Sequence, residues 1–128
     1  MSNITVSGLV ATTPRHIVTV DGLPITSFRL ADSFKKWDYT LNKWVDGETN
    51  WYTITSFKSL AVNVSKSISK GDRIFVTGKI HVRDFDNGER AGVSVEVVAT
   101  NVGHDLSWGT SEFTRNVLVR ETEPEYEY

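Results

Sequence analysis

Cysteine is absent from this sequence, which excludes disulfide bonds, thiolate metal sites and a cysteine nucleophile. The three histidines, His16, His81 and His104, are too widely separated to suggest a metal site. No apolar run approaches the length that spans a membrane, and no basic segment followed by an apolar run opens the chain. We therefore expect a cytoplasmic protein that has no metal or other cofactor and no membrane partner.

Catalytic motifs are absent as well. The sequence has no glycine-rich phosphate loop, and its serine, histidine and aspartate residues form no nucleophile motif. It also lacks a cluster of carboxylates at metal-ligand spacing, which a nuclease or a tRNA-processing enzyme would need. The sequence therefore predicts a protein that is not an enzyme.

Acidic charge is concentrated at one end of the chain. The 128 residues, enough for one domain, carry a formal net charge of −2. Residues 121–128 contain four glutamates and no basic residue, and without them 14 basic residues oppose 12 acidic ones, a net charge of +2. The mildly basic body permits a groove that follows phosphates, and residues 120–128 are predicted to form a disordered acidic tail.

The dominant pattern is a period-two alternation with many β-branched and aromatic residues, which is typical of strands. Five strands are predicted, at residues 3–13, 24–31, 50–58, 72–85 and 91–101. Gly8 and Gly78 fall inside two of them, where glycine usually marks a bulge or a sharp bend. Residues 59–69 are predicted to form a short helix that Gly71 ends.

This order of elements, β-β-β-α-β-β, is the chain order of the OB-fold, an all-β five-stranded barrel. An SH3-like or other small barrel would also show short alternating strands, but the helix before the fourth strand favours the OB-fold. Residues 32–49 are expected to form a long loop, either functional or disordered, because they combine aromatic residues with lysines. Residues 85–90 contain an Asn-Gly hairpin turn.

Alternation also sorts the side chains of the predicted strands by face. One face of the fourth strand is apolar and should point into the barrel: Ile74, Val76, Ile80 and Val82. The faces left outside carry large aromatic and basic residues: Arg29, Trp51, Phe57, Lys79, Arg83 and Phe85. That mixture suits single-stranded nucleic acid, because bases stack on aromatic rings while lysine and arginine contact phosphates.

Each of these residues also has an ordinary structural interpretation. Trp51 and Phe57 could equally be core residues, as most strand aromatics are. Arg29, Lys79 and Arg83, each taken alone, could be solvated surface residues, and residues 32–49 could form a packed Ω-loop. The pattern by itself therefore supports a β-barrel with a candidate nucleic-acid face and leaves these alternatives open.

Several runs of the sequence are more specific than the pattern. They are ITVSG at 4–8, SFRLA at 27–31, WYTITSF at 51–57, LA at 60–61, KGDRIFVTGKI at 70–80 and VEVVA at 95–99. In this order and at these separations, the runs resemble the bacterial single-stranded DNA-binding proteins over residues 3–105. The resemblance implies a homotetramer of OB-folds that coats single-stranded DNA, without sequence preference, in replication, recombination and repair at the nucleoid.

The resemblance also implies residue roles. Trp51 and Phe57 match two aromatics on which bases stack in this family, and Phe85 falls where many members have another. A fourth stacking residue belongs after SFRLA; Trp37 is the best candidate and Phe34 the alternative, because the spacing differs here. Arg29, Lys79 and Arg83 are the expected phosphate contacts.

Two departures from the family pattern concern the C-terminal region. The chain ends in EPEYEY, whereas many members end in a long linker and an acidic Ile-Pro-Phe tip that recruits partner enzymes. This difference leaves partner recruitment open and favours a specialised paralogue. The segment 102–119 looks like the actinobacterial members, in which an additional strand joins subunits. We therefore expect a DNA-binding domain at residues 1–110 and an inter-subunit strand at residues 111–119.

Two binding alternatives remain open at this stage. An RNA-binding OB module would show the same aromatic and basic faces, since nothing in them obviously reads a 2′-hydroxyl. An OB module that docks a partner protein would also expose aromatics, but its affinity would depend little on salt.

Overall fold

The computed structural model describes residues 2–117. Its elements, in chain order, are β1 (Asn3–Val10), β2 (Arg15–Val18), β3 (Pro24–Asp38), β4 (Lys43–Phe57), α1 (Lys58–Ser67), β5 (Arg73–Asp86) and β6 (Ala91–His104). All five predicted strands and the predicted helix are present. The sequence did not predict β2, a four-residue strand that pairs only with β3.

Five strands close into a barrel. The strands lie in the order β1-β5-β6-β4-β3, and β1 also pairs with β3, which completes the ring. All pairings in the ring are antiparallel except β4 with β6. The helix α1 lies between the third and fourth strands of the ring, as the predicted OB-fold requires. The extra strand outside the ring is β2.

The barrel interior is filled by aliphatic side chains from every strand of the ring. Val10, Leu30, Ile54, Ile74, Val76 and Val97 are fully buried. The helix adds Ala61, Val64 and, just after its end, Ile68 to the buried set. Burying these side chains is the main stabilising contribution to the fold, at about 1.5–3 kcal/mol for each large aliphatic group.

Two glycines permit the tight curvature of the ring. A Cβ on Gly8 would lie 2.4 Å from the backbone oxygen of Ala31, and one on Gly78 would lie 2.1 Å from that of Val98. The register of β5 and β6 shifts between Thr77 and Gly78, so this glycine lies at an irregularity in the ladder, as its place in the sequence predicts. No other residue fits at either position without moving the neighbouring strand.

Two hairpin arms continue beyond the ring, because two pairs of strands are longer than the barrel. In the β3–β4 arm (32–50) and the β5–β6 arm (82–95), the strands pair only with each other. The prediction that Val82 points into the barrel is therefore wrong: this side chain lies in an arm and is 56% exposed. Ile80, at the rim, is only half-buried.

The β3–β4 arm replaces the long loop predicted at residues 32–49. The two strands pair from Asp32 with Asn50 out to Asp38 with Lys43, with one irregularity between Ser33 and Lys35. The arm turns at its tip because the Asp38 carboxylate accepts hydrogen bonds from the backbone N–H groups of the two residues that follow Tyr39, at 2.8 and 3.0 Å. The bulge breaks the alternation, which is why the sequence did not show two long strands here.

The chain after β6 makes a turn at residues 105–108. Residues 109–117 contain no strand in this single chain, and Phe113 and Val117 are exposed. Residues 110–117 border a pocket together with α1 and the end of β6 of the same chain. The predicted inter-subunit strand at 111–119 stays a prediction. Residues 118–119 and the predicted acidic tail at 120–128 lie outside the described residues. Among residues 2–117, no helix is long and apolar enough to cross a membrane.

Candidate nucleic-acid interface

The outer face of β3, β4, β6 and β5 forms one continuous surface. Arg29 on β3 pairs with Thr53 on β4, and Thr53 pairs with Glu96 on β6. Glu96 in turn pairs with His81 on β5, which completes a row across four strands. Residues directly opposite one another share a face, and residues two apart on a strand share it too. The face is called the outer sheet face below.

Trp51 and Phe57 lie on this outer sheet face, two residues before and four residues after Thr53. The Trp51 side chain is 48% exposed and Phe57 is half-buried, so neither belongs to the buried core. The guanidinium carbon of Arg29 lies 5.4 Å from the centroid of the Trp51 ring, within reach of a cation–π interaction. The structure thus brings together a predicted stacking residue and a predicted phosphate contact.

The β3–β4 arm extends the outer sheet face with a pair of indoles. Trp37 lies opposite Trp44, with ring centroids 5.5 Å apart and the planes at 77°, an edge-to-face contact. Trp44 is the more exposed of the two, at 63%. No role was predicted for Trp44, because its position opposite Trp37 follows from the hairpin register, which the bulge concealed.

A charged pair lies two residues from the indoles on the same arm. The Lys35 ammonium donates a hydrogen bond of 2.6 Å to Asp46, and both side chains are largely exposed. The hydrogen bond and the positive charge of Lys35 lower the pKa of the Asp46 carboxyl from its ordinary value. This pair leaves Asp46 ionised at neutral pH and partly neutralises a cation beside the aromatic surface.

Phe34 and Trp37 lie on opposite faces of β3. They are three residues apart, and side chains alternate between the two faces of a strand. Phe34 lies over Gly47 of the opposite strand, where a Cβ would lie 3.0 Å from two of its ring carbons. The structure therefore places Trp37, and not Phe34, on the face that carries Trp51.

The predicted residues of β5 also lie on the outer sheet face. Lys79, Arg83 and Phe85 alternate along the strand with the fully buried side chains Ile74 and Val76. The row continues from the ring into the β5–β6 arm, where the Phe85 side chain is 41% exposed.

Arg83 has a partner within the protein. Its Nη2 donates a hydrogen bond of 2.8 Å to Glu96 Oε2, in a pair that is partly exposed on both sides. No role was predicted for Glu96, which holds a negative charge in the middle of the outer sheet face. A phosphate that reaches Arg83 must compete with this carboxylate.

The outer sheet face can therefore hold a flexible chain of stacked groups. Exposed rings on β4 and on both arms offer apolar planes, and cations lie next to them, whereas the described residues contain no cluster of three His, Asp or Glu side chains that could hold a metal ion. Aromatic planes with adjacent cations bind unpaired bases and their phosphates in many single-strand binders.

The sequence is similar to known single-stranded DNA-binding proteins. A model of the single-strand binding protein family matches residues 1–105. The single-stranded DNA-binding protein 2 of Tropheryma whipplei is 49% identical over 115 residues, which are 90% of this chain and 76% of that protein. The single-stranded DNA-binding protein 1 of Streptomyces coelicolor is 39% identical over 108 residues, covering 84% of this chain and 69% of that protein.

Solved structures show the same barrel. The small single-stranded DNA-binding protein of Streptomyces coelicolor superposes with a TM-score of 0.74 at 36% identity, covering 84% of this chain and 97% of that chain. A Plasmodium falciparum single-strand binding protein in complex with single-stranded DNA has a TM-score of 0.62 at 22% identity, covering 80% and 92% of the two chains. The latter likeness shows the fold alone.

Proposed function

The chain belongs to the single-strand binding protein family, and from this membership we propose that it binds single-stranded DNA without sequence preference. The observation that carries the proposal is the outer sheet face, on which exposed rings of β4 and both arms lie beside cations. Every base has a π-face, so stacking tolerates any sequence.

The proposal assigns a role to each predicted residue except one. Bases stack on Trp51, Phe57, Trp37 and Phe85, with Trp44 as an additional plane. Phosphates contact Arg29 and Lys79, and also Arg83 when its pairing with Glu96 opens. Phe34 is left out of the stacking set because it lies on the opposite face of β3.

The protein's wider role follows from the same family. We propose that it coats and protects DNA in replication, recombination and repair, as a homotetramer and without catalysing a reaction. The exposed apolar side chains of Phe113 and Val117, in the segment after the barrel, support contact with a second subunit there. Sedimentation of the full chain should give four chains per particle, and truncation after residue 109 should lower that number.

One titration tests the binding proposal. Three of the four tryptophans, Trp37, Trp44 and Trp51, lie on the outer sheet face, so oligo-dT should quench the intrinsic fluorescence. The same titration with duplex DNA and with oligo-U RNA provides the comparison, and we expect weaker binding of the duplex because its bases are not free to stack. Equal binding of duplex and single strand would contradict the proposal, and tighter binding of RNA would favour an RNA-binding role.

A further inference from the structure

Phe85 lies across the ladder from a residue without a side chain. It pairs with Gly92 in the β5–β6 arm. A Cβ built on Gly92 would lie 3.1 Å from both Cε1 and Cζ of the Phe85 ring, closer than such carbons normally approach. The far edge of the ring therefore lies over the bare backbone of Gly92.

Nothing else in the described structure requires glycine at this position. Gly92 does not have a positive φ, unlike Gly22, Gly71 and Gly88. Apart from its own chain neighbours, the two Phe85 ring carbons are the only atoms of residues 2–117 within 4 Å of an added Cβ. Gly92 is the second residue of β6, and glycine within a strand is otherwise unfavourable, because it loses more chain entropy on folding and packs no side chain. The aromatic ring of Phe85 is thus the neighbour for which glycine at position 92 leaves room.

The β3–β4 arm contains a related contact. A Cβ on Gly47 would lie 3.0 Å from Cδ2 and Cε2 of the Phe34 ring. There it would also lie 2.7 Å from the Phe34 backbone oxygen, so Gly47 serves the bulge as well as the ring. Gly92 is the case in which the effect on an aromatic ring can be tested alone.

From this geometry we infer that Gly92 is a positioning residue for DNA binding: its bare backbone holds the Phe85 ring so that the opposite ring face is open to a base. The inference rests on the proposed function. An exposed phenylalanine on a two-stranded arm has few neighbours to fix its rotamer, and ordering it on binding would cost free energy. A ring already held against Gly92 avoids part of that cost.

Gly92→Val is the decisive substitution. Valine favours strands, so the arm should be retained, but its side chain occupies the place of the ring edge. Gly103→Val is the matched control, because Gly103 lies on the same strand and an added Cβ there meets nothing within 4 Å. Both changes are also made with Phe85→Ala, so that the coupling between positions 92 and 85 is measured.

Gly92→Val is expected to weaken DNA binding only when Phe85 is present. Phe85→Ala should weaken oligo-dT binding by about 5- to 150-fold, the range for one stacked base. Gly92→Val should weaken it by about three- to tenfold with Phe85 present and by less than twofold with Phe85→Ala, since a displaced ring loses only part of its stacking. Gly103→Val should change affinity less than twofold in both backgrounds. Phosphate contacts are untouched, so the salt dependence should match the wild type in all variants.

Proton NMR of the free wild-type protein checks the ring placement independently of DNA. Nuclear Overhauser effects should join the Gly92 α-protons to the ε and ζ ring protons of Phe85. Their absence, or an equal effect of Gly92→Val in both backgrounds, would overturn the inference while leaving DNA binding intact. A wild-type protein that shows these contacts but binds no oligo-dT would instead contradict the proposed function.

Discussion

The outer sheet face extends over the ring of the barrel and over the two arms, and its aromatic side chains are held differently in these two regions. In the ring, Trp51 and Phe57 both lie on β4, and the other side of this strand is packed against the fully buried core. In the arms, both faces meet solvent, and the rings are held locally: Trp37 by Trp44, and Phe85 by the backbone of Gly92. The fold thus fixes the centre of the face by core packing and its ends by pairwise contacts.

The largest expected difference between the ring and the arms is in the free energy of unfolding. Gly78→Ala places a Cβ against the Val98 backbone oxygen inside the ring and should lower the free energy of unfolding by about 3 kcal/mol. Gly92→Ala, in an arm, should leave it within about 0.5 kcal/mol of the wild type. Urea denaturation measures both, and equal losses would show that the arm is as tightly packed as the ring.

The next effect is on DNA affinity at the centre of the face. Trp51→Ala should weaken oligo-dT binding by about 1–3 kcal/mol, because one stacked base is lost. Trp108→Ala is the control, since Trp108 is also exposed but lies in the turn after β6, against Arg73 at the opposite end of β5 from Phe85. Affinity is measured by fluorescence anisotropy of a labelled oligonucleotide. A folded Trp51→Ala protein with wild-type affinity would remove Trp51 from the stacking set.

A smaller effect is expected at the tip of the β3–β4 arm. Trp44→Ala should weaken binding by about 1 kcal/mol, and the double variant with Trp37→Ala should lose less than the sum of the single losses. The reason is their edge-to-face contact, which is worth about 0.5–1.5 kcal/mol in such pairs and orients both rings. Strict additivity in the same anisotropy assay would show that the two indoles act independently.

The smallest expected effect is on the salt dependence of binding, and it distinguishes Lys79 from Arg83 on β5. Lys79→Ala should reduce the slope of log affinity against log salt by about 0.7, the value for one phosphate contact to a single strand. Arg83→Ala should reduce the slope by less, because its guanidinium is already paired with Glu96 at 2.8 Å. Titrations at several salt concentrations measure the slopes. An equal reduction would mean that the Arg83–Glu96 pair opens fully on binding.

The ring and the hairpin of β5 and β6 were largely predictable from the sequence, whereas the β3–β4 arm and the orientation of side chains in both arms were not. In the ring, one side of each strand is buried, so alternation shows which residues lie inside; Ile74 and Val76 were placed correctly in this way. In the arms neither side is buried, so an apolar residue such as Val82 carries no information about the interior.

The candidate site shows the same limit. The family resemblance was needed to choose stacking over core packing for Trp51 and Phe57, because exposure depends on which side of the strand the core lies. Trp44 was not assigned a role, since its position opposite Trp37 follows from a register that the bulge beside Gly47 shifts. Glu96 was not recognised because its pairing with Arg83 joins different strands.

The most direct test of whether the outer sheet face and its two arms bind single-stranded DNA is photo-cross-linking. Oligo-dT that contains 5-bromouracil is irradiated with the wild-type protein, and the modified residues are identified by mass spectrometry. The structure predicts adducts at Trp51, Phe85 and the Trp37–Trp44 pair, and none at Trp108 or Phe113, which are exposed outside the strands. Adducts confined to Trp108 and Phe113, with the outer sheet face unmodified, would contradict this assignment of the DNA-binding surface.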